Sequence, residues 1–154
     1  MDDELRLPLL EQLLDEDPDS TVEAPLSSQA TYSRAIDSLK GDLLDLLNTR
    51  ERCRSWPSQL KELDGSILAY GIRDVSGAHL ASPSDRTKFL NALGPVIRRC
   101  DPRFASVRIV PDTERDASDR TLHFKIEAIV NLEGESEEVS IPLKLEPVRR
   151  NFES

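Results

Sequence analysis

The chain is short of the residues from which most active sites are built. Its 154 residues include two histidines, two cysteines and seven aromatics. His79 sits among alanines in an expected loop, and His123 lies on the polar side of an expected strand. Neither stands at metal-ligand spacing with Cys53 or Cys100, which argues against a zinc site. A Ser-His-Asp triad needs an imidazole held between its partners, and nothing singles out either histidine for that role. The six glycines are scattered, so no loop resembles a phosphate cradle. So few aromatics also argue against a sugar-stacking cleft. With 29 acids, some pair will stand about 5–9 Å apart by chance, so acid content alone does not indicate a glycosidase. No cofactor is expected.

Long apolar runs are missing too. None approaches the roughly 20 residues that span a bilayer as a helix, so direct membrane insertion is not expected. The opening Asp2-Asp3-Glu4 lacks the basic start and apolar stretch of a secretory signal. Two cysteines do not make a disulfide framework, and a reducing, cytoplasmic setting is the expectation. As small buried hydrophobes they need no redox role.

Basic residues are scarce at one end only. Residues 1–30 hold nine acids against one base, Arg6, whereas residues 31–154 are almost balanced, with 20 acids and 19 bases. Clustered Lys and Arg are what nucleic acid and anionic membranes demand, so neither is expected as the main partner.

What is present is leucine in the acidic tail. Leu9, Leu10, Leu13 and Leu14 recur at helical spacing, and Pro8 suits the first turn of such a helix. Pro18 and the Pro-, Ser- and Asp-rich stretch 17–31 then read as a linker. A short tethered helix cannot bury four leucines within itself. It must pack on its own body or on a partner, and the linker favours a partner. The expected organisation is a tail and linker over 1–31, a domain over 32–148 and a C-terminal tail over 149–154.

In the domain, Ile36, Leu39, Leu43, Leu46 and Leu47 fall at helical spacing and predict a helix over about 33–50. Trp56 is expected as a core or lid aromatic. Ser66 is placed to cap a short turn that Gly71 ends. A second helix should begin near Ser82-Pro83, with Phe89, Leu93, Val96, Ile97 and Cys100 inward and a kink or break at Pro95. The period then changes. Val107 and Ile109 alternate up to Pro111. Leu122 to Leu132 alternates without a miss, and so does Val139 to Leu145. The segment 112–119 reads as a charged loop, and Glu133 to Ser136 as a hairpin turn. The fold class is therefore α+β: two main helices on one face of a small antiparallel β-meander, with a flexible N-terminal extension. Pro142 cannot donate to a ladder, so one side of the third strand should be open there. That edge is either guarded against aggregation or reserved for a partner strand, and the two readings stand level.

Between the second helix and the sheet lies Asp101-Pro102-Arg103. Pro102 ends the helix and holds Asp101 extended. Arg103 then projects from a rigid corner, either toward a partner's carboxylates or carbonyls or inward as a brace.

Taken together, these segments resemble the TssE family, the phage-baseplate-like subunits of type VI secretion. The resemblance is carried by the leucine tail from Pro8 to Pro18, by Asp42-Leu43-Leu44-Asp45-Leu46-Leu47-Asn48-Thr49-Arg50, by Ser66 to Asp74 and by Asp101-Pro102-Arg103-Phe104. The last is similar to the family's Glu-Pro-Arg motif, with Asp for Glu. The resemblance implies a structural baseplate component rather than an enzyme. Its implied partners are the wedge proteins TssF and TssG, the baseplate protein TssK and the sheath proteins TssB and TssC. It further implies that Asp101, Pro102 and Arg103 dock on the wedge and that the sheet accepts a sheath strand, helping to start sheath polymerisation. The one-methylene shortening at Asp101 puts any contact through that carboxylate in question. The alternatives from other classes are a lysozyme-like peptidoglycan hydrolase and a regulatory binding adaptor.

Overall fold

A computed structural model describes residues 13, 27–52, 55–73, 82–112, 121–132, 135–146 and 151–153. The first helix, α1, spans Ser28–Asn48 and starts earlier than the sequence pattern suggests. Ser27 caps it, its hydroxyl accepting from the Ala30 amide at 3.3 Å. The first turn therefore uses residues that composition assigns to the linker. Ala35, Leu39, Leu43, Leu46 and Leu47 are buried along one stripe, as the helical spacing requires.

Two short 3-10 turns follow, Lys61–Gly65 and Ile67–Ala69. Ser66 caps the second, accepting from the Leu68 amide, and Gly71 ends the segment at a φ of 105°. Trp56 is half-buried rather than part of the core, its indole N–H donating to Asp64 at 3.0 Å. The second helix, α2, spans Pro83–Cys100 with Pro83 in its first turn. It buries Leu90, Leu93 and Ile97 and runs through Pro95 without a break. Pro95 is exposed, so the hydrogen bond it cannot make lies at the surface.

The sheet has four strands rather than three, in the order β1-β2-β3-β4: β1 Phe104–Pro111, β2 Leu122–Leu132, β3 Glu135–Glu146 and β4 Asn151–Glu153. All neighbours are antiparallel. The alternation expected along β2 and β3 is met position by position. Leu122, Phe124, Ile126, Ala128, Val130 and Leu132 are buried, as are Val139, Ile141, Leu143 and Leu145. They form one cluster with the apolar stripes of α1 and α2. The architecture is α+β, with helices over the apolar face of a meander.

The fourth strand corrects the expectation of three. Phe152, in what reads as a C-terminal tail, is buried and meets Phe124 edge-on at 6.3 Å between ring centroids. β4 pairs with β3 at Lys144, Leu145 and Glu146 only. Pro142 lies just past that pairing, opposite Lys125 of β2. Among the described residues, the outer edge of β3 is therefore covered at one end and unpaired around Pro142.

A corner built from three sequence segments

The sequence places Asp101, Pro102 and Arg103 together, and the structure adds distant partners to them. Asp101 closes α2, its amide donating to the Ile97 carbonyl at 2.9 Å. Its backbone is extended, at φ −130° and ψ 104°, as the following proline demands. Its carboxylate folds over the corner and accepts from the Arg103 amide at 3.0 Å. This local turn is one that short acidic side chains favour. The same carboxylate takes the Arg103 guanidinium side-on, with Nε at 2.9 and 3.1 Å and Nη2 at 2.6 Å. Nη2 also donates to Asp42 of α1 at 2.6 Å. Arg103 thus braces α1 against the junction of α2 and β1. Of the two uses left open for this side chain, the structure contains the inward one. Hydrogen bonding to Asp101 first, and then to Asp42, holds the guanidinium pKa above its ordinary value, although burial opposes it.

Pro102 is exposed between the two, whereas the side chains of Asp101 and Arg103 are 13% and 27% exposed. The surface offered to solvent is the proline ring and the rim of the guanidinium.

The segment Ser66 to Arg73 joins the same corner. Arg99 of α2 donates to the Ala69 carbonyl at 2.8 Å. Ile72 and Arg50 form a parallel bridge, in which the Ile72 amide donates to Thr49 and the Glu51 amide to Ile72. Gly71 permits this approach: a Cβ there would stand 2.6 Å from the Thr49 carbonyl oxygen. Tyr70 is partly buried beside these groups. Burial raises its pKa, and so do the charges of Cys100, Asp42, Asp45 and Asp101. Glu51 lies 3.5 Å from both Arg73 and Arg99. Asp42 and Asp45 come from the second quoted segment, Tyr70 and Gly71 from the third, and Asp101 and Arg103 from the fourth. The fold brings all three to one place.

Of the tail residues, Leu9, Leu10 and Leu14 lie outside the described residues. Leu13 has helical backbone, and its side chain is 73% exposed. His79 and Cys53 also lie outside, as do the 133–134 turn and residues 113–120 of the charged loop. Among the described residues, no group of three or more metal-ligating side chains is assembled, and no helix is long and apolar enough to cross a membrane. The partner that sequence reasoning missed is Asp42. It stands in a quoted motif, but only the fold shows that it flanks the buried stripe of α1 on the side facing Arg103.

The α+β domain falls within a family of structural baseplate proteins. Residues 33–135 match the family model described as baseplate wedge protein gp25. The chain belongs to that baseplate wedge family, and the resemblance read from the motifs is borne out at that level. A solved chain from "The baseplate complex from the type VI secretion system" is similar to it, with 16% identity and a TM-score of 0.48, covering 73% of this chain and 93% of that one. No curated protein matches.

Proposed function

We propose that the protein is the TssE-type subunit of a type VI secretion baseplate. In this reading it works in the cytoplasm, joins the wedge proteins TssF and TssG near TssK, and gives the TssB–TssC sheath its starting edge. The observation that carries the reading is the corner itself: three motifs converge on a proline held out between an acid and an arginine. Membership of the wedge family supports the structural role. Asp101 and Arg103 hold the corner in shape, and Pro102 with the guanidinium rim meets the wedge. The leucine face of the tail, Leu9, Leu10, Leu13 and Leu14, is a second attachment.

For the sheath, the outer edge of β1 is the better acceptor. No described strand pairs with it along its eight residues, whereas β4 already caps one end of β3. A groove of about 450 Å³ runs between α2 and β1, floored by Leu90, Val107 and Ile109. An added strand would gain main-chain hydrogen bonds at such an edge and side-chain contacts beside it.

The test is co-purification of the full chain with TssF and TssG, using Pro102→Glu. Pro102 is exposed, so the variant should stay folded, with no more than the small drop in unfolding midpoint that loss of a proline brings, and lose the wedge proteins. Undiminished co-purification would show that the wedge docks elsewhere. The role is mechanical rather than catalytic, so purified protein should leave peptidoglycan intact. Clearing of a peptidoglycan suspension would favour the hydrolase instead.

A further inference from the structure

Large apolar side chains on the described surface are few, and most belong to one segment. Ile67 is 87% exposed, Leu60 50% and Leu68 43%. Leu60 immediately precedes the first 3-10 turn and Ile67 and Leu68 lie on the second, and Ser66 fixes the backbone between the two turns. Its hydroxyl donates to Leu63 at 2.8 Å and accepts from Leu68. An exposed isoleucine on a pinned turn is not a fraying loop. Beside it is a hollow of about 240 Å³, walled by Asp64, Ile67, Tyr70, Arg99 and Cys100.

One margin of this patch is basic. Ile72, five residues after Ile67, bridges to Arg50. Arg50, Arg52 and Arg73 are all exposed there, Arg73 at 93%. Two acids, Glu62 and Asp64, lie on the first turn itself, Asp64 accepting from the Trp56 indole, and Glu51 is shared by Arg73 and Arg99 at 3.5 Å each. The surface therefore combines protruding aliphatic side chains and a mixed-charge first turn, Lys61, Glu62 and Asp64, with three exposed arginines, Arg50, Arg52 and Arg73, to one side.

The matching surface is in the same chain. The tail carries Leu9, Leu10, Leu13 and Leu14 at helical spacing, with Glu11, Asp15, Glu16 and Asp17 among and after them. Residues 1–30 concentrate nine acids against one base, in a chain otherwise nearly balanced. Leu13, the one described residue of that face, is 73% exposed. Reach is sufficient. The 13 steps from Leu14 to Ser27 span about 40 Å when extended, and α1, with 21 residues, is about 31 Å long.

We infer that the leucine face of residues 9–14 docks on its own body, over Leu60, Ile67 and Leu68, with the tail acids against Arg50, Arg52 and Arg73. Apolar contact supplies the attraction and the opposite charges set the orientation. The contact is reversible, because a short helix on a long linker must be ordered each time it forms. A partner that takes the leucines would uncover the Ile67 patch beside the corner at the same moment. The inference does not depend on the baseplate reading, and its test needs no other protein.

Hydrogen exchange of the full chain, read by mass spectrometry at dilute concentration, is the measurement. Replacing Leu9, Leu10, Leu13 and Leu14 by Ser should speed exchange across 60–72 by about threefold or more, and Ile67→Glu with Leu68→Glu should do the same across 9–14. Ile67 and Leu68 are exposed and residues 9–14 precede the domain, so the body should stay folded. Charge reversal at Arg50, Arg52 and Arg73, or salt near 1 M, should weaken the mutual protection. Exchange over 9–14 at the unprotected rate in the unaltered chain would overturn the inference. So would indifference of 60–72 to the leucine changes. Protection that grows with protein concentration would assign the patch to a second copy's tail and equally overturn docking within one chain.

Discussion

Arg103 and Asp42 stand 61 residues apart and meet at 2.6 Å. Arg103 also holds Asp101, its neighbour but one, through both Nε and Nη2. The two contacts are unequal. Asp101 is 13% exposed and accepts from side chain and backbone together, while Asp42 is 49% exposed. Removing the guanidinium leaves a mostly buried carboxylate without its cation, which costs about 1–3 kcal/mol. Removing Asp42 breaks a solvent-screened pair, worth less than about 1 kcal/mol. Denaturant unfolding should therefore rank Arg103→Ala well below Asp42→Ala in stability. Equal losses would mean that the brace to α1, rather than the corner turn, is what Arg103 maintains.

Gly71 is the position where backbone shape matters most. Its φ of 105° and the 2.6 Å and 2.9 Å approaches to backbone atoms of Thr49 and Glu51 leave no room for a side chain. Gly71→Ala should destabilise by about 2 kcal/mol or more, since neither the φ nor the neighbouring backbone can adjust cheaply. Gly41 is the contrast. It lies within α1 with nothing within 4 Å of a Cβ, so Gly41→Ala should stabilise by about 0.5–1 kcal/mol. Thermal or urea unfolding of the two variants should move in opposite directions.

What could be read from the chain follows the range of the interaction that decides it. Along β2 and β3 each inward residue is set by its own alternation, so the buried set from Leu122 to Leu145 is visible in one dimension. The stripe of α1 is visible for the same reason. Its start is not, because the Ser27 cap lies in a Pro- and Ser-rich stretch whose composition reads as linker. β4 has three residues and one inward side chain, too few for any period. The corner was half legible: Asp101-Pro102-Arg103 is local, but Asp42 reaches it only through the packing of α1 against α2.

Tyr70 gives the fold a pH dependence on the alkaline side. Burial, and then the negative charges around it, raise its pKa above 10.0. The folded state therefore holds the phenolic proton more tightly than the unfolded chain does. The sign follows from that. The contribution is fully present below pH 10 and is lost as pH rises through the folded pKa. Stability should fall above pH 10 in the native chain, and the part due to Tyr70 should be absent in Tyr70→Phe. Unfolding midpoints at neutral and strongly alkaline pH, beside a phenolate absorbance titration, would measure it. A Tyr70 phenolate forming at or below the ordinary tyrosine pKa would contradict the burial of this ring.

The last six residues should matter to the core. The Asn48 side chain donates to the Phe152 carbonyl at 3.2 Å and accepts from the Phe152 amide at 2.9 Å. One amide thus satisfies both backbone groups of the central β4 residue, in the manner of an added strand. Lys144 and Glu153 add an ion pair at 2.6 Å across β3 and β4. Phe152 is 3% exposed and covers Phe124. Truncating it to Ala should cost about 3–5 kcal/mol, through lost burial and the cavity left behind. Asn48→Ala leaves two backbone groups of β4 unpaired and should cost about 1–3 kcal/mol. Because both changes release the same strand, their effects in one chain should be less than additive. A chain ending at residue 148 should behave like the double variant, with its unfolding midpoint lowered. If that truncation left the midpoint unchanged, β4 would be an ornament on the sheet and Asn48 would have no bearing on stability.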